Sequence, residues 1–378
     1  MFARRHASHA HSTREQVGRP HRWAGRARLG CLLVLALATS ACSLLGEGSD
    51  QPAEERPDEV VLVTHESFVL PGELKAKFEQ QSGFALTVRA AGDAGTLTNK
   101  LVLTQGSPTG DVAYGVDNTF ASRALDADVF VPYVGDLPIG ADSYRLRTSN
   151  GTPEVRLAPV DQANVCINVD TTWFARKRLD PPSTLAELTD PAYRDLLVLP
   201  GAATSSMGLA FLLATIAEYG AGWEDYWVDL MANGAKLTAG WSDAYYVDFT
   251  QGGEDGKRPI VLSYDSSPAF TINEDDPETS RTEALLGTCF QQVEYAGILT
   301  GATNPEGGNQ LVTFLLSEEV QAALPESMYV FPVRSDVELP ADWARFAAQP
   351  TEPYQMDPAE ITAQRDEWLQ RWNEITTR

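Results

Sequence analysis

From Glu59 onward the chain alternates between two hydrophobic rhythms. The run EVVLVTH is short, Val-rich and continuously apolar, which reads as a buried strand. In LPGELKAKFEQQSG the apolar positions Leu74 and Phe78 fall at helical spacing, and Gly83 supplies the stop. FALTVRAA is a second strand, TLTNKLVLTQG a second helix and DVAYGVD a third strand. Strands alternating with helices of about ten to fourteen residues predict a parallel sheet with helices on its faces. The middle of the chain repeats this less regularly. VRLAPVDQANVCINVD is extended, STLAELTDPAYRD a short helix and LLVLPG a buried strand. SSMGLAFLLATIAEYG is a helix with Ser205 or Ser206 at its N-cap. In AGWEDYWVDLMANG, Trp223 and Trp227 stand four apart and mark the packing face of another helix. AKLTAG, RPIVLSYDSSPAF and TCFQQVEY supply further strands. NQLVTFLLSEEVQAAL reads as one amphipathic helix, and DPAEITAQRDEWLQRWNEITTR as a last one capped by Asp357.

The two rhythms stop at the N-terminus, where the pattern is that of an export signal. A basic stretch ending in Arg26-Ala27-Arg28 precedes an apolar run from Leu29 to Ala38, too short to span a bilayer. Small residues Thr39-Ser40-Ala41 then lead to Cys42, resembling a lipoprotein cleavage site at which Cys42 becomes the acylated first residue. Thr39 stands where such sites usually carry Leu, so ordinary cleavage nearby is the alternative. Residues 1–41 are thus expected to be a signal peptide, its long front end suggesting an overextended gene start. Residues 42–58 form a polar, Pro- and acid-rich tether, and the membrane is reached only through the lipid.

Charge narrows the partners. Seven of the 29 basic residues and one of the 52 acids lie in residues 1–42, leaving 22 basic against 51 acidic residues and a formal charge of −29. Such a surface repels nucleic acid and tolerates or attracts a small cation, although solubility or a salt-rich habitat also explains it. Of the five His, four precede Leu29, so only His65 could shuttle protons in the folded part. No G-x-S-x-G, Walker A or G-x-G-x-x-G motif occurs, so an enzyme is not expected. No metal-ligand cluster and no cofactor is expected either. Cys166 and Cys289, both in strand-like runs, are either bridged or two buried thiols.

What remains is a set of loops mixing aromatics, carboxylates and hydroxyls: HESF, GDAGT, GVDN, TSSMG, GWSDAYY, SYDSSPA and PESMYVFP. Most follow a predicted strand, where open α/β sheets bind ligands. Each aromatic in such a loop is more often a core residue or a domain contact, and Ser205 and Ser206 are caps before they are contacts. Together the loops suit a flat ring bearing positive charge.

The order of GVDN, KLTAGWSDAYY, VLSYDSSPA, QQVEYA and PAEITAQRDEWLQRW resembles the thiamine-binding proteins of bacterial ABC importers, within the wider class of iron(III) and polyamine binders. The likeness runs from about Val60 to the last helix. It implies a type II periplasmic-binding-protein fold, two α/β lobes (59–160 with 297–378, and 161–296) around a cleft. It also implies a monomer, exported to the outer face of the cell membrane or the periplasm, that serves a permease and ATPase complex. Motif by motif, the family's ligand contacts fall on Asp93, Ser205, Ser206, Trp241, Tyr264, Asp265, Ser266 and Ser267. His65-Glu66 stands where a Tyr-Asp pair is common, and Tyr329 where an aromatic is often Trp. Asp265 replaces a small hydroxyl residue. These departures leave room for a phosphorylated thiamine or a pyrimidine precursor. Another solute, such as ferric ion, a polyamine or a phosphorylated compound, is the alternative, and ferric ion would need a second adjacent Tyr at the site.

Overall fold

The computed structural model describes residues 58–377 apart from 149 and 254. The expected export signal, Cys42 and almost all of the tether lie outside the described residues. Glu55–Arg378 is a compact unit by itself, and its cores draw only on residues between Val60 and Ile375.

The first five elements follow the local pattern closely, and a short helix not expected from it comes sixth. They are β1 (Glu59–Thr64), α1 (Gly72–Ser82), β2 (Ala85–Ala90), α2 (Ala94–Leu103), β3 (Val112–Asp117) and the short α3 (Ala121–Asp126). After a two-residue strand, β4 (Phe130–Val131), the long β5 (Ala158–Asp170) leads into α4 (Thr171–Lys177). Then come β6 (Leu197–Pro200), α5 (Ser206–Tyr219), α6 (Trp223–Ala232), β7 (Lys236–Thr238) and β8 (Ile260–Tyr264). Three short strands, β9 (Ile272–Asn273), β10 (Asp276–Ser280) and β11 (Thr282–Ala284), precede the second long strand, β12 (Phe290–Leu299). The chain closes with α7 (Pro305–Leu315), α8 (Glu318–Met328), β13 (Phe331–Pro332), α9 (Ala341–Phe346) and α10 (Pro358–Thr376).

Two predicted helices differ. The run expected as one helix is broken at Leu316–Ser317, because the Ser317 hydroxyl accepts from Val320 N (3.4 Å) and starts α8 afresh. The segment 183–195 forms two short 3-10 turns at 186–189 and 191–193 instead of a helix. Between them Asp190 is extended and caps Ala192 N, and Pro191, which lacks an N–H, begins the second turn.

The main sheet runs β2-β1-β3-β12-β5-β8-β6-β7. At each end the strands are parallel, as alternating strands and helices require, whereas β3-β12, β12-β5 and β5-β8 are antiparallel. The sheet is therefore two parallel blocks joined through the long central strands β5 and β12. Its hydrophobic cores divide at the same place. Ala158, Val160 and Ala163 pack with the β1–β3 block, while Val165, Ile167 and Val169 pack with the α5–α6 block. Between them lies a buried polar belt of Asp161, Gln162, Asn164, Gln292 and Glu294. The last helix docks on the second block, where Trp372 meets Trp227 edge-on at 5.6 Å.

Cys166 and Cys289 are joined by a disulfide, with Cα atoms 4.2 Å apart. Cys166 lies on β5 and Cys289 immediately precedes β12, and those two strands pair directly, Phe290 opposite Val165. Thiol labelling of unreduced, denatured 55–378 should accordingly find no free thiol; two labelled cysteines would contradict the bridge.

Candidate functional site

A cavity of about 240 Å³ opens where the carboxyl ends of β1 and β8 meet the N-termini of α2 and α5. This is the position that open α/β sheets reserve for ligands. One wall carries His65, Glu66 and Ser67 from the loop after β1, with Asp93 and Ala94 at the start of α2. The facing wall carries Ser206, Met207, Trp241, Ser242, Tyr246 and Tyr264, while Glu294 of β12 and the segment Ser327–Val330 complete the lining. None of the lining residues is Lys or Arg. Among the described residues no group of three or more His, Cys, Asp or Glu is disposed to hold a metal ion.

The aromatic wall is rigid. Trp241 stacks on Tyr245 (5.1 Å, 25°), lies edge-on to Tyr246 (5.2 Å) and donates from Nε1 to Ser263 Oγ (3.1 Å). Only 7 % exposed, it belongs to the core beneath it as well as to the cavity. The sequence placed this ring in the cleft and not in a core, but the geometry gives it both surroundings. Residues 243–248, read as loop, wind into a single turn of π-helix that presents Tyr246 to the cavity and buries Tyr245 below Trp241. Tyr245 thus lies outside the lining, whose phenols are Tyr246, Tyr264 and Tyr329, and burial pushes its hydroxyl well above the usual range.

Tyr329 closes the aromatic set. It sits in the left-handed region at φ 62°, an unusual state for a side chain of this size, and its carbonyl accepts a hydrogen bond from the Ser266 hydroxyl. Ser266 therefore supports the wall from behind. Ser267 does likewise, its hydroxyl bonded to Ser263 Oγ (2.7 Å) and accepting from Tyr264 N (3.2 Å). Asp265 is outside the lining too: its two oxygens accept from Asn164 N (3.1 Å) and Asn164 Nδ2 (2.7 Å). Burial pushes its carboxyl up to about 6 despite those bonds.

The opposite wall is acidic. Asp93 caps α2 through Oδ1 to Ala94 N (2.6 Å) and takes Trp241 N on Oδ2 (2.9 Å), so one carboxylate ties the two walls together. Burial raises its pKa; those backbone donors and the His65 imidazole oppose the rise. Glu66 is raised by burial first and then by the charges of Asp93 and Asp243. Gly240 makes the approach possible, since a Cβ there would lie 2.8 Å from both Asp93 Oδ2 and Glu66 Oε1.

Of the two serines, Ser206 reaches the cavity and accepts from Gln292 Nε2 (2.9 Å). Ser205 occupies the N-cap position of α5, yet its hydroxyl makes no capping bond and is buried without a hydrogen bond, near enough to Asp93 to ease that charge slightly. His65, Glu66, Asp93, Ser206, Trp241, Tyr264 and Tyr329 are thus gathered around one cavity, with Ser205, Asp265, Ser266 and Ser267 behind it. Among the lining residues that sequence reasoning did not name are Tyr246 and Glu294; the consequential one is Glu294. Its signal was a charged residue inside the otherwise apolar stretch VEYAGIL, where an unpaired carboxylate is too costly to bury without a purpose.

The sequence profile of the bacterial extracellular solute-binding proteins matches residues 73–351. The thiamine-binding periplasmic protein of Salmonella typhimurium is 28% identical over 331 residues, covering 86% of this chain and 96% of that protein. A solved periplasmic thiamin binding protein superposes with a TM-score of 0.73 at 27% identity, over 89% of this chain and all of the other. The iron-bound HitA of Pseudomonas aeruginosa shares the fold at 19% identity and a TM-score of 0.64, over 84% of this chain and 99% of its own. The architecture is the type II periplasmic-binding-protein fold. A cavity at the strand ends between two parallel blocks is what that fold is built to present, and this chain belongs to the bacterial extracellular solute-binding protein family.

Proposed function

We propose that this chain captures thiamine outside the cytoplasm and hands it to the permease and ATPase of an ABC importer. The observation that carries the reading is the charge and shape of the cavity. Trp241, Tyr246, Tyr264 and Tyr329 offer faces and edges to flat rings, while Glu66, Asp93 and Glu294 face them with no Lys or Arg among the lining residues. Thiamine joins a thiazolium cation to an aminopyrimidine. The aromatic wall suits the cation, and the carboxylates suit both its charge and the amino donors. Ser206, at the N-terminus of α5, is placed for the hydroxyethyl end. The names of the relatives point the same way.

Capture works through lobe closure and makes or breaks no bond. The lobes are 59–160 with the segment that follows 297, and 161–296, joined by crossings in β5 and β12. The last helix α10, expected with the first lobe, packs on the second, where Ile361, Trp372 and Ile375 join the α5–α6 core. A ligand touching both walls shifts the population toward the closed form that a transporter recognises. Cys42, if acylated, holds the protein at the membrane as a monomer on a tether.

Thiamine at 100 times its Kd should stabilise 55–378 by about 2.7 kcal/mol, because only the native state binds it. Thermal melts should rise with thiamine and stay unchanged with magnesium or iron. Absence of a thiamine-dependent shift would overturn the reading.

A further inference from the structure

Beneath the cavity floor lies a chain of buried titratable groups of which thiamine capture as described uses only Glu294. His65 is 8% exposed and lines the cavity, yet its Nε2 is fully buried without a hydrogen bond, 3.5 Å from Glu294 Oε1. The imidazole is locked there. Tyr114 packs against it at 5.6 Å, and a Cβ on Gly115 would meet its Cδ2 at 2.1 Å, so only glycine leaves room for the ring. Glu294 in turn stands directly opposite Asp161 across the β5–β12 pair, and the β12 register shifts at Glu294–Tyr295. The Tyr114 hydroxyl donates to Asp161 and lies 3.4 Å from Glu294 Oε2. Two buried carboxylates facing each other disfavour a second negative charge, and burial together with Glu294 holds Asp161 well above the usual range. Glu294 is therefore the member of this group that both lines the cavity and has a cationic partner.

We infer that Glu294 is the residue that reads the positive charge of the ligand, and that His65 controls it, so that cation affinity rises with pH as the imidazole gives up its proton. This inference rests on the thiamine reading above. With His65 protonated, the ion pair spends the charge of Glu294 within the protein, and a second cation in the cavity meets repulsion. With His65 neutral, that charge is free to face the ligand. The groups around the imidazole are Glu294 from β12, Asp93 before α2, neighbouring Glu66 and Tyr114 from β3, with Asp161 of β5 and Asp117 of β3 behind Glu294. Burial alone would lower the His65 pKa, but Glu294 first, then Asp93 and Glu66, together raise it. The sign follows: binding a cation expels a proton below that raised pKa, and affinity is lost as pH falls through it.

His65 is the sole His of 55–378, so its NMR titration is unambiguous. Its midpoint should lie above the ordinary value of about 6.5, fall in E294Q, and fall by about one unit or more with saturating thiamine. Thiamine affinity should climb about tenfold between pH 5.5 and 7.5 in the unaltered protein and lose most of that climb in H65Q, the remainder coming from Asp93, Glu66 and Asp117, whose raised carboxyls also ionise as pH rises. At pH 8, E294Q should lose about tenfold for thiamine but less than about twofold for its deaza analogue, in which carbon replaces the thiazolium nitrogen and the ring is neutral. A midpoint unmoved by E294Q, a pH-independent affinity, or equal losses for the two ligands would each overturn the inference. Failure of thiamine to bind the unaltered protein at any pH overturns the proposed function instead, and the pair then stands or falls on the E294Q midpoint.

Discussion

Trp241→Ala is expected to weaken thiamine binding roughly 30-fold or more and to lower the melting temperature with it. A cation held over a desolvated indole gains ~2 kcal/mol or more, and 1.4 kcal/mol is a factor of ten in affinity. The stability loss has a separate origin. The ring is almost wholly buried, stacks on Tyr245 and hydrogen-bonds Ser263, so truncation removes packing from the core beneath the cavity. Emptying such a site costs about 3–5 kcal/mol. Trp241→Phe should recover part of both quantities, because it keeps an aromatic face while losing the Nε1 donor. Fluorescence titration well below the melting point, so that only folded protein is counted, separates the two effects. Normal affinity with early melting would show that Trp241 serves the core alone.

Trp227→Ala should produce the complementary result, a loss of about 3–5 kcal/mol in stability with the affinity of the folded fraction unchanged. Trp227 has no exposed surface; it packs edge-on against Phe211 and Trp372 at 5.6 Å each and donates to Thr215 Oγ1 (2.9 Å). It is absent from the cavity lining. Because Trp372 lies on α10, the substitution should also raise hydrogen exchange along that helix before it unfolds the whole. A changed affinity in folded protein would mean that the packing of α10 and α6 is coupled to the site.

Much of the fold was legible because its signals are local. A Val-rich run such as EVVLVTH cannot stay in water, and Asp357 before a helical run announces a cap whatever surrounds it. The break between α7 and α8 was hidden because Ser317 sits inside a pattern whose apolar spacing continues across it. The site was partly legible too. Trp241, Tyr264 and Tyr329 stand in loops with turn residues around them, whereas Glu294 sits mid-strand, where the usual reading is a core position.

The sequence by itself determined the alternation of strands and helices, the acidic charge and the motifs that carry the family, since each depends on residues near one another in the chain. Tertiary structure alone decided which serines and carboxylates reach the ligand. SYDSSPA offers five polar side chains in a row, yet only Tyr264 of that loop lines the cavity. The antiparallel pairing of β5 with β8 turns Asp265 toward Asn164, the turn after α8 brings the carbonyl of Tyr329 onto Ser266, and the pairing of β12 with β3 and β5 brings Glu294, distant in sequence, against His65. Direction along a loop is set by partners 63 to 101 residues away, and no local rhythm records them. The same holds for the bridge: two cysteines 123 residues apart are joined because β12 pairs with β5, a register written in the whole sheet and in neither strand alone.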